Sequence, residues 1–299
     1  MCVIVGRVGK CTPAAIALEP GPGQDTFLSI NRRRGVTDMH FDELLAGVEN
    51  DSLVIPASWG QGRATFGGLV AALTFLKMQA AVQPGRPLRA LQVAFVGPVT
   101  VDEPVSFEVE LLREGRAASQ VQGRLVQGGE VRLSALASFG GDRESSVQVS
   151  PDPAPEAPAP EQCPELGYIA GMTPEFTRHI EMRWAFGHFP FAGRPVREMG
   201  GWMRFREAGE AMGDAHVIAL VDAWPPAVLQ HLKQPAPASS MSWSLEIVHP
   251  RPEMKADEPL LYRAVIDQAG GGYGHTHATI WNGQGELVAL SRQTVTVFG

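Results

Sequence analysis

Alternating hydrophobic and polar residues dominate the chain between residues 88 and 139. Within "SFEVELL", Phe107, Val109 and Leu111 alternate with polar neighbours, which predicts a strand with one buried face. The strands predicted in this region are "LRALQVAFVGPV", "PVSFEVELLREG", "AASQVQGRLVQ" and "EVRLSALASF". The preceding segment "FGGLVAALTFLKMQAAV", Phe66 to Val82, contains one charge in 17 residues. It predicts a helix that opens at glycines and is buried on nearly all sides.

The second half repeats this order of elements. The segments "TRHIEMRWAFG" and "GGWMRFREA" predict strands, and "DAHVIALVDAWPPAVLQHL" predicts a helix from Asp214 to Leu232. Pro225 and Pro226 are expected to break or kink that helix. The strands predicted after it are "SSMSWSLEIVHP", "PLLYRAVIDQ", "YGHTHATIW" and "ELVALSRQTVTVF". Similar landmarks in similar order, "VGP…DEP…GGEVRLSALASF" and "VHP…DEP…QGELVALSRQTVTVF", indicate an internal duplication.

A segment rich in proline divides the two repeats. In "SPDPAPEAPAPEQCPE" the prolines alternate with small and acidic residues, which predicts an extended linker. We therefore predict an N-terminal unit over residues 39–142, a linker over 143–164 and a C-terminal unit over 165–299. Residues 1–38 show no sustained period, and we interpret them as a disordered extension or the product of an over-long start.

The order of elements predicts an α+β fold. A long apolar helix followed by antiparallel strands indicates a curved sheet that wraps around the helix with one face. Two such units can pair through their edge strands, which protects those edges from unwanted association. We therefore expect two curved antiparallel sheets, each with a central helix, joined edge to edge.

Composition narrows the classes of partner and compartment. Of 299 residues, 44% are apolar and 19% are charged, which is enough for a packed core. The formal charge of −7 argues against nucleic acid and anionic membranes as main partners. No apolar run approaches the roughly 18 residues of a membrane span. Cys2, Cys11 and Cys163 lack metal-like spacing, so we expect a reducing compartment, the cytoplasm.

The ordered motifs of both halves resemble the acyl-CoA thioesterase II type, a double hotdog thioesterase. The resemblance rests on "FGGLVAAL", "FVGPVTVDEPVSFEVELLREG", "ALVDAWPP", "SSMSWSLEIVHP" and "GELVALSRQTVTVF". It implies hydrolysis of fatty acyl-CoA by a water that an Asp, a Thr or Ser, and a Gln orient together. By position these residues are Asp222, Ser240 and Gln293, with Ser239 and Ser242 as alternative sources of the hydroxyl. The resemblance also implies a reaction without a metal or redox cofactor, and possible assembly into a homo-oligomer.

The residues themselves support these roles to different degrees. The pattern of the last strand places Gln293 on the face of Val295 and Val297, where an amide needs partners. Considered alone, Asp222 is more typical of a turn cap before proline, and Ser240 of a structural strand residue. The glycines of "TFGG", Gly67 and Gly68, predict a helix N-terminus whose backbone N–H groups can stabilise an oxyanion.

Three alternatives remain open at this level. A non-catalytic acyl-CoA-binding module would keep the fold and lack turnover. An enoyl-CoA hydratase is disfavoured because its "GDxNPxH"-like motif is absent from the sequence. A metal site at His275 and His277 is disfavoured because no neighbouring Cys, Asp or Glu completes a ligand set. The repeat also sets Ala137 against Gln293, which predicts one complete catalytic set per chain.

Overall fold

The computed structural model describes residues 39–207, 209 and 211–298, so the predicted extension over residues 1–38 lies outside the described residues. The helices in this part of the chain are α1 (Phe41–Gly47), α2 (Gly67–Ala80) and α3 (Asp214–Val221). The strands are β1 (Ser52–Val54), β2 (Gly60–Gln61), β3 (Ala64–Thr65), β4 (Leu88–Phe95), β5 (Pro104–Glu114), β6 (Ala118–Gln127), β7 (Glu130–Gly140), β8 (Ile180–Phe186), β9 (Glu198–Phe205), β10 (Ala238–Ile247), β11 (Leu260–Gly270), β12 (Tyr273–Trp281) and β13 (Leu287–Val297). Short 3₁₀ helices occupy Ala57–Trp59, Pro160–Gln162, Glu175–Arg178 and Ala227–His231.

Eleven strands form one continuous antiparallel sheet in the order β1-β5-β6-β7-β4-β10-β13-β12-β11-β9-β8. The strands from β4 to β13 correspond to the ten predicted runs. The sequence pattern missed β1, β2 and β3 because strands of two or three residues are too short to show alternation. The expected α+β architecture is therefore confirmed.

The two halves meet where β4 pairs with β10. Trp243 lies opposite Val93, and Leu245 lies opposite Leu91 in this pairing. The junction also brings the end of β4, with Phe95, toward the part of the second half that contains α3. Edge-to-edge joining of the sheets, as expected from the repeat, thus places residues of both halves around one point.

Helix α2 lies in the core, as its composition predicts. Residues from Gly68 to Phe75 are all buried, and α2 packs against β5, β6, β7 and α3. Its position is tightly defined, because a Cβ atom on Gly68 would lie 2.7 Å from the backbone oxygen of Ala219 in α3. The two central helices therefore touch backbone to backbone where α2 begins.

Helix α3 is shorter than predicted. It ends at Val221, so the helix expected from Asp214 to Leu232 was wrong over its second half. Pro225 and Pro226 supply no N–H group, and proline disfavours helical geometry in the residue before it. The chain turns instead and resumes as the 3₁₀ helix Ala227–His231. Because of this early stop, Asp222 is the C-cap of α3 and does not lie within the helix.

The first turn of α3 is anchored to the N-terminal half. Nε2 of His216 lies 2.8 Å from Oδ1 of Asp42, and the backbone N–H of Gly213 donates to Nδ1 of His216 at 3.1 Å. Burial lowers the pKa of His216, which favours the neutral ring that these two contacts require. This arrangement fixes the direction of α3 and hence the place where its last residues emerge.

The end of the proline-rich segment runs along the outer edge of β8. Trp184 donates its backbone N–H to the Pro164 oxygen, and Leu166 donates to the Met182 oxygen, both at 2.9 Å. The indole of Trp202 donates to the Pro158 oxygen at 2.8 Å. These contacts cover an edge strand that would otherwise expose unpaired backbone groups.

Candidate active site

The carboxyl group of Asp222 lies at the junction of the two central helices. As the C-cap of α3 it has helical dihedral angles, φ −84° and ψ −3°. The residue is partly exposed because it borders a small cavity, but protein atoms enclose its carboxyl group. An acidic group in such a place is held by specific contacts, which identify its surroundings as a candidate site.

Gln293 supplies one of these contacts. Its Nε2 donates a hydrogen bond of 2.8 Å to Oδ1 of Asp222. On β13 Gln293 lies between Trp243 of β10 and Thr276 of β12, and Val295 on its face is buried whereas Leu290 on the other face is exposed. The predicted orientation of Gln293 toward the interior is thus observed, and Asp222 is the partner that the amide needs.

The first residues of α2 close the other side of Asp222. A Cβ atom on Gly67 would lie 2.8 Å from Oδ2 of Asp222 and 3.0 Å from the ring of Phe95. A Cβ atom on Gly68 would meet the ring of Phe66 at 2.5 Å. Neither position has room for a side chain, so the absence of Cβ lets the helix N-terminus and the carboxylate approach each other.

Ser240 shares the small cavity with Asp222. The cavity has a volume of about 20 Å³ and is lined by Gln61, Gly67, Phe95, Asp222, Trp224, Pro226 and Ser240. This volume accommodates about one water molecule. The site therefore combines a carboxylate, a hydroxyl and a helix N-terminus around a space of the size of one water molecule.

A register shift in β10 explains why Ser240, and neither serine beside it, faces this cavity. The pairing with β13 skips Met241, so that the inner face runs through Ala238, Ser240, Trp243 and Leu245. Ser242 and Ser244 consequently point to the outer face, where Ser244 donates to Glu246 at 2.9 Å. The hydroxyl of Ser239 contacts the neighbouring Ser240 backbone oxygen at 3.2 Å.

Burial raises the pKa of Asp222 from 3.8 to about 7. The Gln293 amide and the Gly68 backbone N–H act in the opposite direction because they favour the charged carboxylate. Tyr262 is also affected, since its own burial and the nearby Asp222 charge both raise its pKa. A carboxylate with a pKa near neutrality is well matched to accept and return a proton at physiological pH.

Several residues of the site were not predicted from the sequence. Phe95 and Gln61 reach the cavity from the N-terminal half. Trp224 also lines the cavity, and its ring stacks on that of Tyr262 with 5.4 Å between the ring centroids. Phe95, Trp224 and Tyr262 are apolar or aromatic residues in apolar surroundings, which makes them look like ordinary core positions. Phe95 comes near Trp224 across the β4–β10 junction, and short-range sequence patterns contain no information on that.

The two histidines of β12 form other contacts. Nδ1 of His277 lies 2.8 Å from Oδ1 of Asp267, and Nδ1 of His275 lies 3.3 Å from the Thr294 hydroxyl. Among the residues that the structure describes, no group of three or more His, Cys, Asp or Glu side chains could hold a metal ion. Within the same part of the chain, no helix has the length and apolarity needed to cross a membrane.

Sequence comparison with known families decides the classification. A model of the acyl-CoA thioesterase N-terminal domain matches residues 55–140, and a model of the C-terminal domain matches residues 160–297. The chain belongs to the acyl-CoA thioesterase family. The resemblance inferred from the motifs is thereby confirmed, and membership of this family supports thioesterase activity. No protein of curated function matches the chain in sequence.

Solved structures show the same fold. A hot dog protein of unknown function from Alicyclobacillus acidocaldarius is 24% identical, with a TM-score of 0.70 over 83% of this chain and 92% of that one. The acyl-CoA thioesterase II TesB2 from Mycobacterium marinum is 25% identical, with a TM-score of 0.64 over 79% of this chain and 90% of that one. The tesB protein of Mycobacterium avium subs paratuberculosis is 20% identical, with a TM-score of 0.69 over 87% of this chain and 100% of that one. The double hotdog expectation is therefore confirmed.

Proposed function

We propose that this acyl-CoA thioesterase family member hydrolyses acyl-CoA thioesters to free CoA and a carboxylic acid, using a water molecule activated by Asp222. The observation that carries the proposal is the enclosed Asp222 carboxylate, which accepts a 2.8 Å hydrogen bond from Gln293 and borders the same cavity as Ser240. Family membership supports the reaction class. The assignment of catalytic roles to Asp222, Ser240 and Gln293 is our own.

In this proposal Asp222 acts as the general base. As the water oxygen attacks the thioester carbonyl carbon, Asp222 takes one proton and the carbonyl oxygen becomes negative. Collapse of the tetrahedral intermediate breaks the carbon–sulfur bond, and the proton on Asp222 passes to the departing CoA thiolate. A base whose pKa lies near 7 can perform both transfers.

The neighbouring groups have distinct tasks. Gln293 holds the carboxylate through Oδ1, which leaves Oδ2, on the side of Gly67, to face the water. The Ser240 hydroxyl can both donate and accept, and it fixes the position of the water. The backbone N–H of Gly68 already acts on Asp222, so we assign the oxyanion mainly to the N–H of Gly67 at the start of α2.

The geometry favours this reaction over a binding module without turnover. A module that only binds acyl-CoA has no need for a carboxylate placed against a helix N-terminus, where burial raises its pKa. We further propose that the reaction uses no metal or redox cofactor, that the protein acts in the cytoplasm, and that its copies can assemble into a homo-oligomer. The acyl-CoA itself is the expected small-molecule partner.

Release of free CoA thiol from a panel of acyl-CoAs tests the proposal. The panel should contain straight-chain, branched and aromatic acyl groups, with wild type and Asp222→Asn assayed together. We expect turnover of one class and a loss of 10²- to 10⁴-fold in the variant, the usual contribution of a general base. Asp257→Asn, at an exposed position away from the cavity, is the matched control and should retain most activity. Equal turnover by wild type and Asp222→Asn would contradict the proposal.

A further inference from the structure

A second, larger cavity adjoins the small one. Its volume is about 550 Å³, and Gln61 lines both cavities. Ala223 and Pro225, in the turn that follows Asp222, form part of its wall. Phe176 lines it as well and stacks at 4.2 Å on Phe66, the residue immediately before Gly67. The cavity therefore begins beside the proposed reaction centre, and its volume lies within the range of small-ligand sites.

The walls are chemically uniform. Among the described residues, the side chains that line this cavity include none that carries a charge. Pro174, Pro190, Pro225 and Pro235 contribute to the lining, and proline has no N–H group to leave unpaired in a dry cavity. Such walls accept apolar groups and make a buried charge costly.

The inner wall is held rigidly by Gln230, a fully buried side chain outside the lining. Its Oε1 accepts from the His188 backbone N–H at 3.0 Å, and its Nε2 lies 3.1 Å from the Val196 and Glu198 oxygens. These bonds fix the loop that carries Phe189, Pro190 and Phe191 into the cavity. Phe191 adopts an unusual left-handed backbone conformation, φ +66°, of the kind that recurs at ligand sites.

The outer wall is a tight turn at residues 169–173. The hydroxyl of Thr173 accepts from the Ile169 backbone N–H at 2.8 Å, and the Thr173 N–H donates to the Ile169 oxygen at 3.0 Å. Ile169 and Met172 line the cavity, yet they are 53% and 66% exposed, respectively. Apolar side chains at this degree of exposure lie at the mouth of the cavity, where a ligand would cover them.

We propose that the larger cavity, called the chamber below, binds the acyl group of the substrate. Met172 at its mouth and Phe191 in its inner wall would be the specificity-determining residues. The ligand class is an uncharged, apolar acyl chain, and an acyl group that ends in a carboxylate is excluded. This inference rests on the proposed function, in which the acyl group belongs to an acyl-CoA thioester substrate. Residues 166–235 line nearly all of this chamber, and Gln61 contributes from the N-terminal half.

Acyl-CoA binding to the Asp222→Asn variant, measured by isothermal titration calorimetry, tests this inference without turnover. With butanoyl-, octanoyl- and dodecanoyl-CoA, affinity should rise about fourfold for each methylene that the chamber buries, and then level off. Suberoyl-CoA, which matches octanoyl-CoA in carbon count but ends in a carboxylate, should bind at least tenfold more weakly. Length-independent affinity, or equal binding of the two matched ligands, would overturn the inference.

Two further substitutions locate the chamber. Met172→Glu should flatten the dependence on chain length, whereas Val147→Glu, at a 75% exposed position in the linker, should leave it unchanged. Phe191→Gly removes wall volume while suiting the left-handed backbone, and should move the plateau to longer chains. Unchanged length profiles in both chamber variants would place the acyl group elsewhere. Intact binding profiles in a protein whose wild type releases no CoA would instead refute hydrolysis and leave the chamber assignment standing.

Discussion

The Nε2 atom of Gln293 lies 2.8 Å from Oδ1 of Asp222, which joins the last strand of the sheet to the end of helix α3. The two residues are 71 positions apart in the chain. Their contact orients the carboxylate, and it also favours the charged form, which keeps the pKa from rising further. Removing the amide should therefore affect both the rate and its pH dependence.

Gln293→Ala should lower kcat about a hundredfold, because a misplaced base loses that order of rate. It should also shift the apparent pKa of kcat/KM upward from a value near 7, since a hydrogen bond to the ionised form is lost. Thr294→Ala, one residue along on the outer face, is the control and should behave as wild type. A pH profile that does not move in Gln293→Ala would argue against direct coupling of the amide to the base.

The pH dependence of activity and stability should have opposite signs. The base works when ionised, so kcat/KM should increase with pH through about 7. The folded pKa of Asp222 is raised above its unfolded value of 3.8, so its stabilising contribution is complete below 3.8 and is lost as pH rises toward about 7. The loss corresponds to at most about 4 kcal/mol.

Asp222→Asn cannot ionise and should thus unfold at higher denaturant concentration than wild type at pH 8. Its side-chain oxygen can still accept the bond from Gln293, so the variant keeps that contact while it loses the charge. The difference between the two proteins should shrink as pH approaches 4, which urea titrations at several pH values would measure. If the variant were less stable than wild type at pH 8, ionisation of the buried Asp222 would not destabilise the folded protein, contrary to this prediction.

The two glycines at the start of α2 should respond differently to an added methyl group. In Gly67→Ala the new Cβ would approach Oδ2 of Asp222 and the Phe95 ring, so we expect about a hundredfold loss of kcat with a modest change in stability. In Gly68→Ala the Cβ would meet the backbone oxygen of Ala219, so unfolding should become easier by about 1–3 kcal/mol. Chemical denaturation and CoA release on both variants would distinguish these outcomes, and the reverse pattern would contradict the geometry.

The serine pair on β10 tests which hydroxyl positions the water. Ser240→Ala should lower kcat about tenfold, the value of one hydrogen bond lost. Ser242→Ala, on the outer face beyond the register shift at Met241, should leave kcat unchanged. Ser240→Thr keeps a hydroxyl at the cavity and should retain the activity that Ser240→Ala loses. Loss of activity in Ser242→Ala alone would reverse this assignment.

The sequence predicted the fold closely because its evidence is local. Strand β6 shows a period of two over all of its ten residues, and α2 contains a single charge within a long apolar run. The inward orientation of Gln293 also follows from alternation alone. The end of α3 was harder to predict than the strands, because the position where proline stops a helix depends on tertiary packing of the residues before it.

The surroundings of the site were not predictable in the same way. Phe95 and Gln61 line the cavity beside Asp222 because the two halves pack against each other, and the register shift at Met241 decides which serine faces inward. The chamber beside Asp222 is built from irregular segments that no periodicity describes. Its prolines and glycines indicate turns, but their common cavity depends on the path of the chain in three dimensions.

The proposed reaction requires that water, activated by Asp222, attacks the thioester directly. A single turnover in ¹⁸O-labelled water, with enzyme in excess over an acyl-CoA that the wild type hydrolyses, tests it by mass spectrometry of the product and of the peptide that contains Asp222. Direct attack predicts one ¹⁸O atom in the released carboxylic acid and none in that peptide. Appearance of ¹⁸O in the Asp222 peptide would show that the carboxylate itself attacks the substrate and forms an anhydride, and would contradict direct attack by water.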